Sequence, residues 1–153
     1  MTTPGKLAFG LAFVLSALLS GCHAGDASSH PASSTETMGL GVVGYNHTDH
    51  DIGDFSVNGE AGSYVGKHEE HGVACCVSLP AKHTPGLTVT VTWTDEDNKH
   101  PQSRVVAVPP YTPADGGEFH VHFLRNGNIK VFATAIVFLG NPDYPLKGDE
   151  ARM

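Results

Sequence analysis

Over residues 87–94 the chain alternates without a break: Leu87, Val89, Val91 and Trp93 fall on one side of an extended backbone, Thr88, Thr90, Thr92 and Thr94 on the other. Successive side chains of a strand point to opposite faces, so this pattern makes a strand with one apolar and one polar face. β-Branched residues fill most of it, as a pleated surface favours. Such a strand needs a second layer over its apolar face. From residue 41 onward the chain offers only more of the same texture. Short runs at 41–48, 52–58, 72–79, 104–108, 118–125 and 128–139 are separated by turn residues, and none has the 3.6-residue period of an amphipathic helix. The run at 72–79 (GVACCVSL) reads as a buried strand, and the one at 104–108 as an edge strand stopped by Pro109-Pro110. About seven short strands without helices in roughly 100 residues predict an all-β fold, a single antiparallel β-sandwich spanning 41–140.

Asn126-Gly127 lies between two of these runs and is the preferred pair for a two-residue type I′ hairpin turn. That turn sets Arg125 opposite Asn128, Phe123 opposite Lys130 and Val121 opposite Phe132. Phe119, Val121, Phe123 and Phe132 then share a core face. The opposite face carries His120 and His122 beside Ile129, Val131 and Ala133, and is too apolar to be left to water. Something should cover it. Residues 141–153 (NPDYPLKGDEARM) read as an irregular tail with a frayed end. Trp93 is expected in the core or at its rim.

The first 40 residues are of another kind. A weakly basic start is followed by an apolar stretch of 13 residues from Leu7 to Leu19, whose last residue opens the tetrapeptide Leu19-Ser20-Gly21-Cys22. As a helix the apolar run would span roughly 20 Å, short of the ~30 Å hydrocarbon layer, so it suits a signal-peptide core rather than a retained span. The tetrapeptide resembles a bacterial lipoprotein box, which implies cleavage before Cys22 and acylation of that cysteine on sulfur and amino group. At about 0.8 kcal/mol per buried methylene, several chains anchor stably where one does not. The expected organisation is a signal peptide over 1–21, a flexible tether over 22–40 rich in Ser, Ala, Thr and Gly, and the domain beyond it. His23 is not the aspartate that retains enterobacterial lipoproteins in the inner membrane, which favours the periplasmic face of the outer membrane.

Nine basic and sixteen acidic residues give the chain a net charge of −7, and loss of Lys6 with the signal peptide leaves −8. An acidic domain repels phosphate backbones, so nucleic acid is not an expected partner. It also lacks the basic surface that draws proteins to anionic headgroups, so its membrane contact is expected through the lipid alone.

Chemistry is sparse. No G-x-S-x-G elbow, P-loop or H-E-x-x-H occurs, and the carboxylates sit in turns as solvated surface, so the chain is not expected to be an enzyme. Beyond Cys22 only Cys75 and Cys76 remain, adjacent in sequence. Neighbours on a regular strand point apart, so the pair is either a vicinal disulfide in a distorted segment or two thiols. Ten histidines are the anomaly. His120 and His122 are two apart and share one strand face, a common way to offer two imidazoles to a metal; His68 and His71 precede the cysteines. A Cu or Zn site built from these four is the alternative function, although no spacing completes a four-ligand set. His47-Thr48-Asp49-His50 and His68-Glu69-Glu70-His71 read otherwise as polar turns.

The segments GYNHT (44–48), IGDFSVNG (52–59), Cys75-Cys76-Val77, VTVTW (89–93) and EFHVHF (118–123) with Asn126-Gly127 follow one another in order. The set resembles a family of small Gram-negative lipoproteins that carry a domain of unknown function, over most of residues 41–137. Members are often encoded beside type VI secretion lipase effectors of the Tle class. The resemblance implies an immunity protein: a periplasmic lipoprotein that binds and inhibits an incoming phospholipase, with no cofactor beyond its lipid. The segments at 47–54, 68–72 and 95–100 are the candidate contact loops.

Overall fold

The computed structural model describes residues 36–60 and 62–153. The signal peptide, Cys22 and most of the tether therefore lie outside the described residues. Seven strands follow in chain order: β1 (Thr37–Asn46), β2 (Phe55–Val57), β3 (Glu70–Pro80), β4 (Thr88–Trp93), β5 (Gln102–Ala107), β6 (Glu118–Phe123) and β7 (Ile129–Thr134). They make a four-stranded sheet in the order β3-β1-β6-β7 and a three-stranded sheet in the order β2-β4-β5. Among the described residues the helical structure is confined to two 3-10 turns, Pro113–Asp115 and Gly148–Ala151.

The fold is all-β, as the alternating texture predicts. One continuous core lies between the sheets, with Val42, Val77, Phe119, Val121 and Val131 from one side meeting Phe55, Val57, Val89, Val91 and Val106 from the other. On β4, Val89 and Val91 are buried while Trp93, and Leu87 just before the strand, pack at the margin, as the alternation requires. Phe123 links the layers, edge-on to Phe55 at 5.6 Å and to Trp93 at 5.9 Å between ring centroids.

Several expectations need correction. The first strand starts at Thr37, inside the segment read as tether, because Leu40 is buried and its neighbours pair with β3. The sheets are not wholly antiparallel: β1 runs parallel to β6. The strand around the cysteines is the outer strand of its sheet and mostly exposed, with only Val77 and Leu79 fully buried. Cys75 and Cys76 are joined as a vicinal disulfide and stand together opposite Gly41, in the register break between Leu40↔Val77 and Val42↔Ala74. Two residues against one is a β-bulge, the local irregularity that lets neighbouring side chains meet.

The hairpin exists, but its register differs by one residue. Phe123 faces Ile129, Val121 faces Val131 and Phe119 faces Ala133, all in the core. The Leu124 carbonyl accepts from Gly127 N–H, and Leu124 N–H donates to Asn128. Gly127 has φ of +78° while Asn126 does not enter the left-handed region. This is a three-residue connection, a type I turn closed by a left-handed glycine, in place of the two-residue I′ turn. The shift sends Phe132 and Lys130 to the outer face beside His120 and His122, and brings Ile129, Val131 and Ala133 inward.

The outer face is covered, as its apolar character demands. The cover is the segment read as a frayed tail. It is irregular, but Tyr144 and Leu146 are buried in a second cluster with Leu124, against Phe132, Ile136 and Leu139. Residues 140–152 thus form a strap across β6 and β7.

Candidate functional site

Under the strap runs a continuous line of polar contacts. Val43 and Tyr45 point outward from β1, and Tyr45 stacks on His122, with ring centroids 4.6 Å apart and planes 8° from parallel. His120 and His122 share the same face of β6 and are fully buried. Both aim at one atom: the Tyr144 hydroxyl lies 2.7 Å from His120 Nδ1 and 2.6 Å from His122 Nε2. The other nitrogens are also engaged. His120 Nε2 is 2.9 Å from Glu118 Oε2, and His122 Nδ1 is 2.9 Å from His47 Nε2. His47 Nδ1 is 2.7 Å from the Arg152 carbonyl oxygen, which also accepts from Arg125. His47 is placed there by its N–H bond to the Phe123 carbonyl at the ends of β1 and β6.

Burial dominates the electrostatics. It holds His47 and His120 below the ordinary imidazole range and His122 well below it, since a buried imidazolium loses hydration. Glu118 opposes the shift at His120, and neighbouring His47 adds to it at His122. Burial likewise raises the Tyr45 and Tyr144 hydroxyls, so both stay protonated at ordinary pH.

The four histidines of the candidate metal site are therefore not brought together. His120 and His122 adjoin, but all their ring nitrogens are committed to hydrogen bonds. His68 lies in a loop on Asp49, 2.8 Å away, and His71 is exposed on β3 opposite Gly44. Among the described residues no group of three or more His, Cys, Asp or Glu side chains is arranged to hold a metal. His47, read as a turn residue, is the member that sequence reasoning missed. Tyr144 was missed with it; the signal was present in an unsatisfied apolar face and a nearby tail holding Tyr144 between two prolines and Leu146 just after the second.

Tyr45 contrasts with these residues, because among the described residues its buried hydroxyl has no hydrogen-bond partner. Burying a hydroxyl unpaired is unfavourable, so Tyr45→Phe is expected to raise stability by about 1 kcal/mol, read as a shift of the urea midpoint at constant slope. A loss of stability on this substitution would mean the oxygen is bonded after all.

The second feature is the loop cluster at the end of the sandwich where β1 finishes. The buried Asn46 side chain donates to the His50 and Val65 carbonyls and accepts from Thr48 N–H and Oγ–H. Asp49 contacts His68, Asp51 accepts from the Tyr64 hydroxyl and Lys67 N–H, and Asn98 Oδ1 accepts from Asp54 N–H. Gly53 N–H donates to the Thr94 carbonyl. The three candidate contact loops are thus tied to one another. Residues 47–54, 64–71 and 94–100 hold eight carboxylates and two lysines, a net −6 with histidines neutral. The Tyr64 hydroxyl holds Asp51 below the usual carboxylate range, and the His100 contact does the same for Asp95, so these charges persist into mild acid.

No curated protein and no solved structure matches the chain. A family profile does, over residues 45–131, which is 87 of 153 residues and takes in the region from the end of β1 to β7, with His47, His120 and His122 but not the strap. The chain belongs to that family, a protein of unknown function (DUF3304).

Proposed function

We propose that the protein is a membrane-anchored periplasmic lipoprotein that binds and inhibits a type VI secretion phospholipase effector. The observation that carries this reading is the loop cluster: three acidic loops, cross-tied by side-chain and backbone hydrogen bonds, form one surface of net −6 on a rigid sandwich. Loops fixed before contact spare a binder the entropy of ordering them on binding. A surface of one sign steers a basic partner and speeds association. The Leu19-Ser20-Gly21-Cys22 box supports anchorage by acylated Cys22, and a tethered inhibitor is concentrated at the membrane its target attacks. The resemblance to lipoproteins encoded beside lipase effectors supplies the partner class. In this reading the protein does no chemistry of its own.

The test is protection of cells that export the neighbouring lipase effector. The full chain should protect; a chain lacking residues 2–21 should not. The purified pair should bind at nanomolar strength. Asp54→Lys with Glu96→Lys should slow association at least tenfold at low salt, since neither carboxylate takes part in the loop bonds described above. Absence of a complex between lipoprotein and effector would end the proposal.

A further inference from the structure

The line of contacts beneath the strap has a countable property. Five hydrogen bonds join Glu118, His120, Tyr144, His122, His47 and the Arg152 carbonyl in that order. Each bond needs one hydrogen. The four interior groups, when neutral, bring one each: a single N–H per imidazole and one O–H. Both ends are acceptors, since a carboxylate and a carbonyl bring none, and Arg125 already donates to that carbonyl. Four hydrogens serve five bonds.

We propose that this chain is a proton-binding site: the folded protein holds one proton beyond those of its neutral side chains, on the Glu118–His120 pair, and that proton fastens the strap to the sheet. With it in place every bond points one way. His120 Nδ1–H donates to Tyr144, Tyr144 O–H to His122 Nε2, His122 Nδ1–H to His47 Nε2, and His47 Nδ1–H to Arg152. The strap is then held at two points, its tyrosine hydroxyl and its last described carbonyl but one.

The surroundings fix where the proton sits. His122 is closed in by the Tyr45 ring and faces His47, His120 and Lys130, so charge is least tolerable there. His47 has Arg125 and His68 on one side and Glu150 on the other, and Glu150 is paired with Lys130. Of the three histidines in the line only His120 touches a carboxylate. Burial on its own pushes that imidazole down, but its Nε2 lies 2.9 Å from Glu118 Oε2, and two bare acceptors repel at that distance unless a hydrogen stands between them. Glu70 on β3 and the Tyr45 and Tyr144 hydroxyls complete the titratable groups around that end, and none of the three brings positive charge at neutral pH.

Imidazole 15N spectra of the full-length protein in detergent at pH 7 test the count. The expected result is a protonated Nδ1 on His47, His120 and His122, bare Nε2 on His47 and His122, and a second proton on His120 at Nε2 facing Glu118. A bare nitrogen of either kind on His120, a bare Nδ1 on His47 or His122, or an imidazolium at either of those two overturns the proposal. Linkage supplies a second reading. Above the ordinary imidazole pKa of about 6.5 the unfolded chain lacks the extra proton, so folding takes one up, and the folding constant should fall about tenfold per pH unit from roughly pH 7 until the site releases it. In Glu118→Gln the amide donates the missing hydrogen itself, and that one-proton slope should vanish. Equal slopes in the two proteins would overturn it, and if the variant does not fold the spectra still decide.

Discussion

Tyr144→Ala is expected to remove about 5 kcal/mol or more of folding stability, a large part of what a domain of this size possesses. Two losses combine. The ring is the centre of the second cluster, fully buried against Phe132, and its removal leaves a cavity that an irregular strap cannot close by repacking. The hydroxyl is the hydrogen-bond partner that His120 Nδ1 and His122 Nε2 share, so both imidazoles are left with a buried polar atom unpaired. Each such atom costs about 1–3 kcal/mol. Tyr144→Phe separates the terms, because it keeps the ring and deletes only the link. It should retain the packing part and lose the rest. Urea unfolding of the three proteins measures both. Amide exchange should show residues 140–152 opening first in the phenylalanine variant. A Tyr144→Ala protein as stable as its parent would show that the strap does not hold the sheet.

The strap also explains which parts of the molecule were legible from the sequence. Strand β4 was legible because both faces have a clear destination: its valines meet the second sheet and its threonines meet water. On β6 and β7 both faces are buried, one by the opposite sheet and one by the strap, so alternation no longer separates inside from outside. The turn then had to set the register. Asn126-Gly127 fits a two-residue I′ turn as well as the observed three-residue connection with Gly127 left-handed, and the two differ by one residue. That difference exchanges Phe132 for Val131 in the core.

The same double burial concealed the histidine line. His120 and His122 were visible as a pair on one face, whereas their partners lie far off in sequence, at His47 and in the tail. No periodicity connects residues brought together by an irregular segment. The acidic loops show the reverse case. Their composition marked them, but only side chains such as Asn46, Asp51 and Asn98 acting as cross-ties make them one surface.

Mild acid should destabilise this protein steeply, and the sign follows from burial. His47 and His122 are held below the ordinary imidazole value chiefly by loss of hydration. In the unfolded chain they take up protons near pH 6.5, so below that value the unfolded state binds more protons than the folded one. The stabilisation is thus complete above about pH 6.5 and is lost as pH falls toward the lower folded values. Each histidine contributes a slope of about 1.4 kcal/mol per pH unit in that window, and the two together about twice that. Urea unfolding at intervals between pH 7 and 5 should give a slope near two protons, and His122→Gln should reduce it by one. A flat profile would mean that the imidazoles accept charge while folded, which requires the strap to lift and water to reach them. Taken with proton uptake by the Glu118–His120 pair above neutrality, the outcome is a narrow stability maximum close to pH 6.5–7, set by which protons one buried line of hydrogen bonds can carry.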